Sequence, residues 1–366
     1  MKLNTLLSFS LLLMVSCTGQ NSHTVETTYN TTPPTIADTV KNLSNNIMIT
    51  YQDKKNNYWF GSWEDGLYKY DGKVILHYTK KSGLSNISIR GIQEDKAGNI
   101  YITTLDRIHK FNGQFFSTLN VIESSPLNSN WRLNPDDLWF TALGKNGVNG
   151  PCRYDGENLY QLTFPKHFMA DEYYEKYPNN PWSPYDIYYT YKDQKGHLWF
   201  GTSNFGLCRY DGQSISWLYE DHLTNTPNGG SFGIRSIIED KNGKFWFCNT
   251  KYRYSIFSDN KKEKGATLIN YQREKGIDDI KSNKGVDFTY FLSAIEDNNG
   301  NLWLVTYDEG VWCYNGTSTK HYPVKKDKLD VKLFSIYKDN KGDLWLGTQN
   351  DGVYKFNGRD FEKFVP

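Results

Sequence analysis

The sequence lacks a charge imbalance, a second long apolar segment and any cysteine spacing that is typical of a zinc site. Its 366 residues carry 42 Lys and Arg against 41 Asp and Glu, and both signs are interspersed. Nucleic-acid-binding surfaces are basic, so we expect no nucleic-acid partner. No apolar run after residue 17 is long enough for a membrane-spanning helix, so a transmembrane receptor architecture is not expected.

The N-terminus resembles a bacterial lipoprotein signal peptide. Lys2 precedes an apolar stretch, Leu6 to Val15, that is too short to span a bilayer, and Ser16-Cys17 follows at once. The alternative is ordinary secretory cleavage with an incidental cysteine. We expect cleavage before Cys17 and lipidation of its thiol, so that the lipid anchor is the only contact with the membrane.

The chain divides into a signal peptide at 1–17, a polar tether at 18–42 and one folded domain at 43–366. The tether is rich in Thr, Asn and Ser and has too little apolar content to form a core. No acidic run follows Cys17, which favours a periplasm-facing anchor over a surface-exposed one. Residues 35–41 could add a strand to the ring, although their sequence is poor in strand formers.

One motif recurs along the folded domain, best seen as DQKGHLWFGTSNFGLCRYDG from Asp193 to Gly212. A turn around Gly196 leads into an aromatic-rich strand, a loop, a second strand and an Asp-Gly hairpin turn. Seven copies occur, and their aromatic anchors are Trp59, Tyr101, Trp139, Trp199, Trp246, Trp303 and Trp345. A period near 40 residues with several short strands is typical of a β-propeller blade.

Each copy predicts four antiparallel strands, which we call inner, second, third and outer. The sequence therefore predicts an all-β, seven-bladed β-propeller whose repeated Trp residues pack between neighbouring blades. In copy three the inner strand is expected at 128–133. In copy five the hairpin turn is expected at 258–260, so that the connection to copy six begins at Lys261.

Three cysteines fall on predicted core positions. Cys152 and Cys208 share one position of the third strand, and Cys248 stands where other copies have Gly. Equivalent positions of adjacent blades should be too far apart for a disulfide, so we expect free, buried thiols.

Length variation is confined to one side of the predicted ring. We call variable face the side that carries the loops between second and third strands and the connections between copies; the other side, with short turns, is the uniform face. Insertions on one face usually mark the working face of a repeat fold. Its aromatic and polar residues could stack on and hydrogen-bond a sugar or another polar ligand. The predicted contact residues are Trp63, Tyr177, Trp182, Phe205, Tyr252, Arg253, Tyr307, Asp308 and Asn350.

The repeat resembles that of the two-component regulator propeller family. The resemblance is carried by Ile238-Glu239-Asp240, by Gly300-Asn301-Leu302-Trp303 and by the run from Gly206 to Asp211, and it covers nearly all of residues 46–366. In that family such propellers form the periplasmic sensing part of hybrid sensor kinases, often for glycan signals in Bacteroidetes. The sequence contains no kinase core and no response-regulator domain, so the resemblance implies a stand-alone propeller that binds a ligand, with a carbohydrate as one candidate.

Two further functions stay open. A protein-interaction scaffold in an envelope complex suits a neutral, aromatic-rich face equally well. A propeller lyase or hydrolase would need His and acidic groups at matching inner positions, and the sequence offers no such set. We therefore expect no catalytic residue, no metal and no cofactor.

Overall fold

The computed structural model describes residues 37–123, 130–141, 149–224, 233–277, 280–281 and 290–366. These residues form β-sheets joined by loops, two short α-helices and one 3-10 turn, which confirms the all-β class. The predicted signal peptide, Cys17 and the tether as far as residue 36 lie outside the described residues. None of the helices in the described ranges has the length and apolarity needed to cross a membrane.

Sheet A corresponds to copy one with a strand added. Its strands are β1 (Asp38–Val40), β2 (Ile49–Gln52), β3 (Tyr58–Gly61), β4 (Leu67–Tyr70) and β5 (Ile75–Tyr78). β1 pairs antiparallel with the outer strand β5. The prediction that the tether extends to residue 42 is therefore wrong at its end. The open edge of β5 offers backbone partners that outweigh the weak strand propensity of β1.

Sheet B is the predicted four-stranded antiparallel meander. After the 3-10 turn Lys80–Ser82 come β6 (Ile89–Glu94), β7 (Ile100–Thr104), β8 (Ile108–Phe111) and β9 (Phe116–Thr118).

Sheet C departs from the repeat. It contains β10 (Val121–Glu123), β11 (Leu138–Phe140), β12 (Cys152–Tyr154) and β13 (Leu159–Gln161). β10 lies on the outside and pairs in parallel with β13. Of the inner strand predicted at 128–133, residues 130–133 form no strand, and 128–129 lie outside the described residues. Copy three lacks the glycine turn that would direct the chain from an inner strand into β11.

Sheet D joins copies four and five into eight strands. Helix α1 (Ala170–Lys176) precedes β14 (Ile187–Lys192), β15 (Leu198–Thr202), β16 (Leu207–Tyr210) and β17 (Ile215–Leu218). After α2 (Asp221–Thr224) come β18 (Ile237–Glu239), β19 (Phe245–Phe247), β20 (Arg253–Glu263) and β21 (Ala266–Glu274). The two meanders meet through their outer strands, where Trp217 pairs with Leu268.

The predicted hairpin turn at 258–260 is wrong. β20 continues through these residues with a register shift between Ile256 and Asn260, and the turn lies at Lys264-Gly265. Both residues have positive φ, +50° and +75°, which matches a tight hairpin turn. The connection to the next sheet therefore begins after Glu274, because Lys261 lies within β20.

Sheets E and F repeat the regular pattern. Sheet E has β22 (Phe291–Glu296), β23 (Leu302–Thr306), β24 (Val311–Tyr314) and β25 (Thr319–Tyr322). A two-stranded hairpin, β26 (Lys325–Lys326) and β27 (Leu329–Asp330), leads to sheet F. Sheet F has β28 (Leu333–Lys338), β29 (Leu344–Thr348), β30 (Val353–Phe356) and β31 (Phe361–Lys363).

The sheets contact each other in sequence order, and the last contacts the first. Tyr337 of sheet F accepts the backbone N–H of Gln52 at 3.0 Å, and Ile47 donates its N–H to the carbonyl of Thr348 at 2.9 Å. The described sheets thus form a closed ring. Second-strand tryptophans fill the spaces between neighbours, as predicted: Trp199 is fully buried with its ring 4.8 Å from Phe245 of the next copy.

The cysteine prediction is confirmed for the described residues. Cys152, Cys208 and Cys248 are free and buried, and Cys313 is free and half-buried. Cys152 and Cys208 lie in register opposite Phe140 and Phe200 of the second strands.

Candidate functional site

The repeated Asp of each glycine turn holds the blade together. In copy four, one oxygen of Asp193 accepts the N–H groups of Lys195 and His197, at 3.0 and 2.8 Å. Its other oxygen accepts the indole N–H of Trp199 at 2.9 Å. Asp and Trp stand six residues apart in five copies, with indole distances of 2.8 to 2.9 Å. These groups are satisfied internally, so ligand contacts must come from residues that do not repeat.

In copy seven the hydrogen bonds also favour ionisation of the repeated carboxyl group. Burial alone would raise the pKa of Asp339, but bonds from Tyr58, Trp345 and the backbone leave it below the usual 3.8. The carboxylate therefore stays charged at neutral pH, as a turn-stabilising acceptor.

The predicted contact residues differ widely in exposure. Trp182 is 68% exposed, Tyr177 46% and Tyr307 41%. Asn350 is exposed, and Trp63, Tyr252, Arg253 and Asp308 are half-buried. Phe205 is only 1% exposed, stacked 4.3 Å from the ring of His167, and therefore belongs to the core.

The structure brings three of them together around Lys332. The backbone N–H of Lys332 donates to Asn350 at 3.1 Å, its ammonium group contacts Asp308 at 3.3 Å, and it lies 5.0 Å from the ring centre of Tyr307. Tyr177 and Trp182 lie apart from this group, on the segment with helix α1, where Tyr177 packs against Tyr173 at 5.1 Å.

Tyr252 and Arg253 lie beside a dense group of titratable side chains. Glu220 accepts the hydroxyls of Tyr254 and Tyr271, both at 2.8 Å, and lies 3.2 Å from His222. Arg253 pairs with Glu274 at 3.3 Å. Burial lowers the pKa of His222, so this imidazole is neutral at pH 7. The group contains an acid, a base and two phenols, yet most of their polar atoms contact one another.

A second set of residues converges across the middle of the ring. We call axial cluster the side chains of Trp63, Arg90, Tyr188, Arg235 and Phe334. The guanidinium of Arg90 lies 4.0 Å from the ring centre of Trp63, and that of Arg235 lies 4.1 Å from Tyr188 and 5.9 Å from Phe334. The rings of Trp63 and Phe334 meet edge to face at 4.9 Å.

The cluster lies at the centre of the ring because its members come from copies that are not adjacent. Arg235 belongs to copy five and Phe334 to copy seven, and such residues can meet only across the middle. Trp63 lies in a variable-face loop, and Arg90 follows the connection from sheet A. The axial cluster is therefore at the variable-face end of the ring.

Backbone irregularity aims several of these side chains inward. In the regular inner strands the register shifts at one residue, which leaves Arg90, Tyr188 and Phe334 without a partner position on the second strand. Such β-bulges re-aim a side chain and are frequent beside functional sites. Arg235 occupies the equivalent sequence position, because it follows Ile234 as Arg90 follows Ile89.

Sequence reasoning found Trp63 but missed the other four members of the axial cluster. Each of them follows an aliphatic residue at or just before the start of an inner strand, as Arg90 follows Ile89. Aligning the copies on that residue would have shown that this position varies among Arg, Tyr, Phe and Leu, with Leu292 in copy six.

Electrostatics set Arg90 apart from the charged residues of the repeats. Burial lowers its pKa, the nearby Arg235 lowers it further, and Tyr188 acts in the opposite direction. Within the described ranges no carboxylate forms an ion pair with Arg90. Among the described residues no group of His, Cys, Asp and Glu could hold a metal ion.

Comparison with solved structures defines the class. The extracellular domain of BT4673 from B. thetaiotaomicron has a TM-score of 0.55 at 20% sequence identity, covering 87% of this chain and 39% of that one. The extracellular domain of the proposed hybrid two component system BT3049 has a TM-score of 0.55 at 16% identity, covering 88% and 41%. Virginiamycin B lyase from Staphylococcus aureus has 0.59 at 13%, covering 87% and 97%. At these identities the likeness shows the fold alone, and the class is the β-propeller.

Two segments of the chain match a known family of repeats. Residues 181–204 and 329–350 match the family described as Two component regulator propeller. The chain therefore carries repeats of this family, which confirms the resemblance. It spans about two fifths of the length of the two B. thetaiotaomicron domains. No curated protein matches the chain in sequence.

Proposed function

We propose that this chain is a lipid-anchored, seven-bladed β-propeller of the cell envelope that binds a ligand or partner through its variable face. One observation carries the binding proposal: non-repeating aromatic and basic side chains converge at the variable-face end of the ring, whereas the repeated polar groups are satisfied internally.

The count of seven follows from treating sheet D as two blades. Its meanders β14–β17 and β18–β21 are joined by a single residue pair, and each begins with its own inner strand. Sheets A, B, C, E and F supply one blade each. Copy three then has the least regular blade, because β10 adds to its outer edge.

Lipid anchoring at Cys17 is supported by the sequence alone. The test is fractionation of cells that express the wild type or Cys17→Ser. We expect the wild type in the membrane fraction and the variant in the soluble exported fraction. Release of both proteins into the soluble fraction would contradict the anchor.

The binding face is tested by glycan and peptide arrays with the purified full chain. Trp182→Ala and Tyr177→Ala remove exposed aromatic rings of the variable face. Phe115→Ala is the matched control, because Phe115 is 48% exposed and lies in a hairpin turn of the uniform face. We expect weaker binding for the first two variants only. Equal loss in the control, or no loss in either variant, would contradict the face assignment.

A protein scaffold is the second candidate. The exposed rings of Tyr174, Tyr177 and Trp182, at 45, 46 and 68%, lie within one short segment and would suit a protein partner. Binding to peptides and not to glycans in the same arrays would favour this function.

Catalysis is the weakest candidate, and we propose that the chain acts by binding. The group around Glu220 brings an acid and a base together on the variable face, and its tyrosines are already bonded to the carboxylate. A lyase or hydrolase activity that Glu220→Gln abolishes would overturn this proposal.

A further inference from the structure

We propose that a cavity between copies four and five binds a small carboxylate that also carries a hydroxyl or ammonium group. The cavity has a volume of about 200 Å³ and is bordered by the glycine turns of both copies, which places it at the uniform-face end. We call it the interblade cavity. Its lining includes Lys195, His197, Arg209, Glu239, Phe245 and Ile256. The site is separate from the variable face, so either proposal can fail alone.

A departure from the repeat borders this cavity. Strand β20 continues where other copies turn, bulges between Ile256 and Asn260, and reaches copy four, where Asn260 accepts Nη2 of Arg209 at 2.7 Å. In copy seven, Lys355 occupies the position of Arg209, opposite the second-strand tryptophan. The side chain of Lys355 is 37% exposed, whereas Arg209 is only 4% exposed. The position is shared, but in copy four the hairpin of the next copy covers it.

The guanidinium of Arg209 supplies buried donors to the site. Its Nε is buried without a hydrogen-bond partner, and the bond to Asn260 is the only one that the guanidinium makes with described residues. Burial lowers the pKa of Arg209, while Asp211 and Asp193 act in the opposite direction. An unpaired donor in a buried guanidinium is costly, so an acceptor on a ligand in the cavity would stabilise it.

The charges that line the cavity have both signs, which defines the chemistry of the ligand. Arg209 and the exposed Lys195 are two cations from copy four. Copy five supplies Glu239, whose Oε2 accepts the backbone N–H of Gln194 at 2.7 Å and whose Oε1 accepts no hydrogen bond from the described part of the chain. A carboxylate would pair with the guanidinium, and a neighbouring hydroxyl or ammonium would donate to Glu239. Asp193 also borders the cavity, but its oxygens already accept backbone and indole N–H groups.

The volume suits a molecule the size of a monosaccharide or a small amino acid. An apolar cavity of about 150 Å³ is large enough to bind benzene. The interblade cavity, at about 200 Å³, therefore admits a six-membered ring with its substituents. Phe245 and Ile256 provide an apolar wall for the carbon atoms of such a ligand.

The experiment is isothermal titration calorimetry of the purified full chain at low ionic strength. Sodium glucuronate carries a carboxylate beside hydroxyls, and L-alanine carries one beside an ammonium group. Sodium acetate lacks the donor, and glucose lacks the carboxylate. We expect glucuronate or alanine to bind with a Kd of about 1 mM or tighter, and acetate and glucose to bind at least about tenfold more weakly. The probe that binds identifies the donor.

Arg209→Gln and Lys195→Gln each remove one cation of the interblade cavity. Lys355→Gln is the matched control, at the repeat position of Arg209 in a different blade. Loss of a charge-assisted contact should weaken binding at least about tenfold in Arg209→Gln and less in Lys195→Gln, and the control should bind as the wild type does. Ile256→Trp fills the cavity without changing a charge and should abolish binding.

Thermal melting keeps the inference falsifiable if Arg209→Gln is less stable. The probe that binds, at saturation, should raise the Tm of the wild type and of Lys355→Gln, but not that of Arg209→Gln or Ile256→Trp. Three results overturn the inference: no probe binds the wild type, acetate or glucose binds as tightly as glucuronate and alanine, or Arg209→Gln and Lys355→Gln weaken binding equally. Each of these results leaves the variable-face function standing, because none of the substituted residues lies on that face.

Discussion

Removing the carboxylate of Asp193 should destabilise the protein far more than removing a comparable carboxylate from a hairpin turn. Asp193→Ala deletes three hydrogen bonds, one of them from the fully buried indole of Trp199. An unsatisfied buried donor costs about 1–3 kcal/mol, and each of the two backbone bonds contributes about 0.5–1.5 kcal/mol, so the expected loss of stability is roughly 2–6 kcal/mol.

Asp211→Ala is the matched control in the same blade. Asp211 also accepts two backbone N–H groups, from Gln213 and Ser214 at 2.9 and 2.7 Å, and the hydroxyl of the half-buried Ser214 at 2.9 Å, but it accepts no fully buried donor. The freed N–H groups can turn to water, so we expect a loss of about 1 kcal/mol. The assay is urea unfolding followed by far-ultraviolet circular dichroism, with the free energy of unfolding taken from midpoint and slope.

A double-mutant cycle isolates the contribution of the indole. In Trp199→Phe the donor is absent, so adding Asp193→Ala should cost about 1–3 kcal/mol less than it does in the wild type. Equal losses for Asp193→Ala and Asp211→Ala, or additive losses in the cycle, would refute the claim that the repeated Asp–Trp pair stabilises each blade.

Three further results are expected. In the same urea assay, Gly206→Ala should lower the free energy of unfolding by at least about 2 kcal/mol more than Gly212→Ala does. Both residues have positive φ, but a Cβ at Gly206 would meet the carbonyl oxygen of Leu218 at 2.4 Å. Equal losses would contradict this. Burial lowers the pKa of His167 from 6.5 to about 3, so the unfolded chain binds the proton first and His167 should make stability fall by about 1.4 kcal/mol per pH unit from pH 6 to 4. His167→Gln should make the slope shallower by about that amount, while the contribution of His109, whose pKa burial lowers to about 4, remains; an unchanged slope would refute the assignment. Cys208, whose burial raises its pKa, should resist iodoacetamide in the folded protein at pH 8, and its rapid alkylation, seen by mass spectrometry, would contradict the buried placement.

The sequence predicted the repeated parts of the fold well because each copy carries its own turn chemistry. The glycine turns, the aromatic second strands and the shared position of Cys152 and Cys208 depend on local patterns. Seven repetitions of one pattern left little ambiguity about the all-β class.

The outer strands were harder to predict because their partners are distant. β1 pairs with β5, which lies beyond three intervening strands, and β10 pairs in parallel with the outer strand of sheet C. The long hairpin β20–β21 turns at Lys264-Gly265, whereas the nearer Asp-Asn pair only bulges. In each of these three cases, strand pairing in the folded protein outweighed the local propensity of the sequence.

The sequence predicted only which face of the ring carries the site. Loop length identifies the variable face, and exposure then separates Trp182 and Tyr177 from the buried Phe205. Arg90, Tyr188 and Phe334 are single residues of inner strands, Arg235 lies just before one, and they are brought together only when the ring closes. The β-bulges at Arg90, Tyr188 and Phe334 are not revealed by the alternating sequence pattern.

Hydrogen exchange of the full chain with and without a saturating ligand from the arrays tests the central claim most directly, because it reports where that ligand contacts the ring. The account predicts slower exchange at the starts of the inner strands around Arg90, Tyr188 and Arg235, with no change in the turns that contain Asp193 and its equivalents. Slower exchange confined to those uniform-face turns, or no change anywhere, would contradict it.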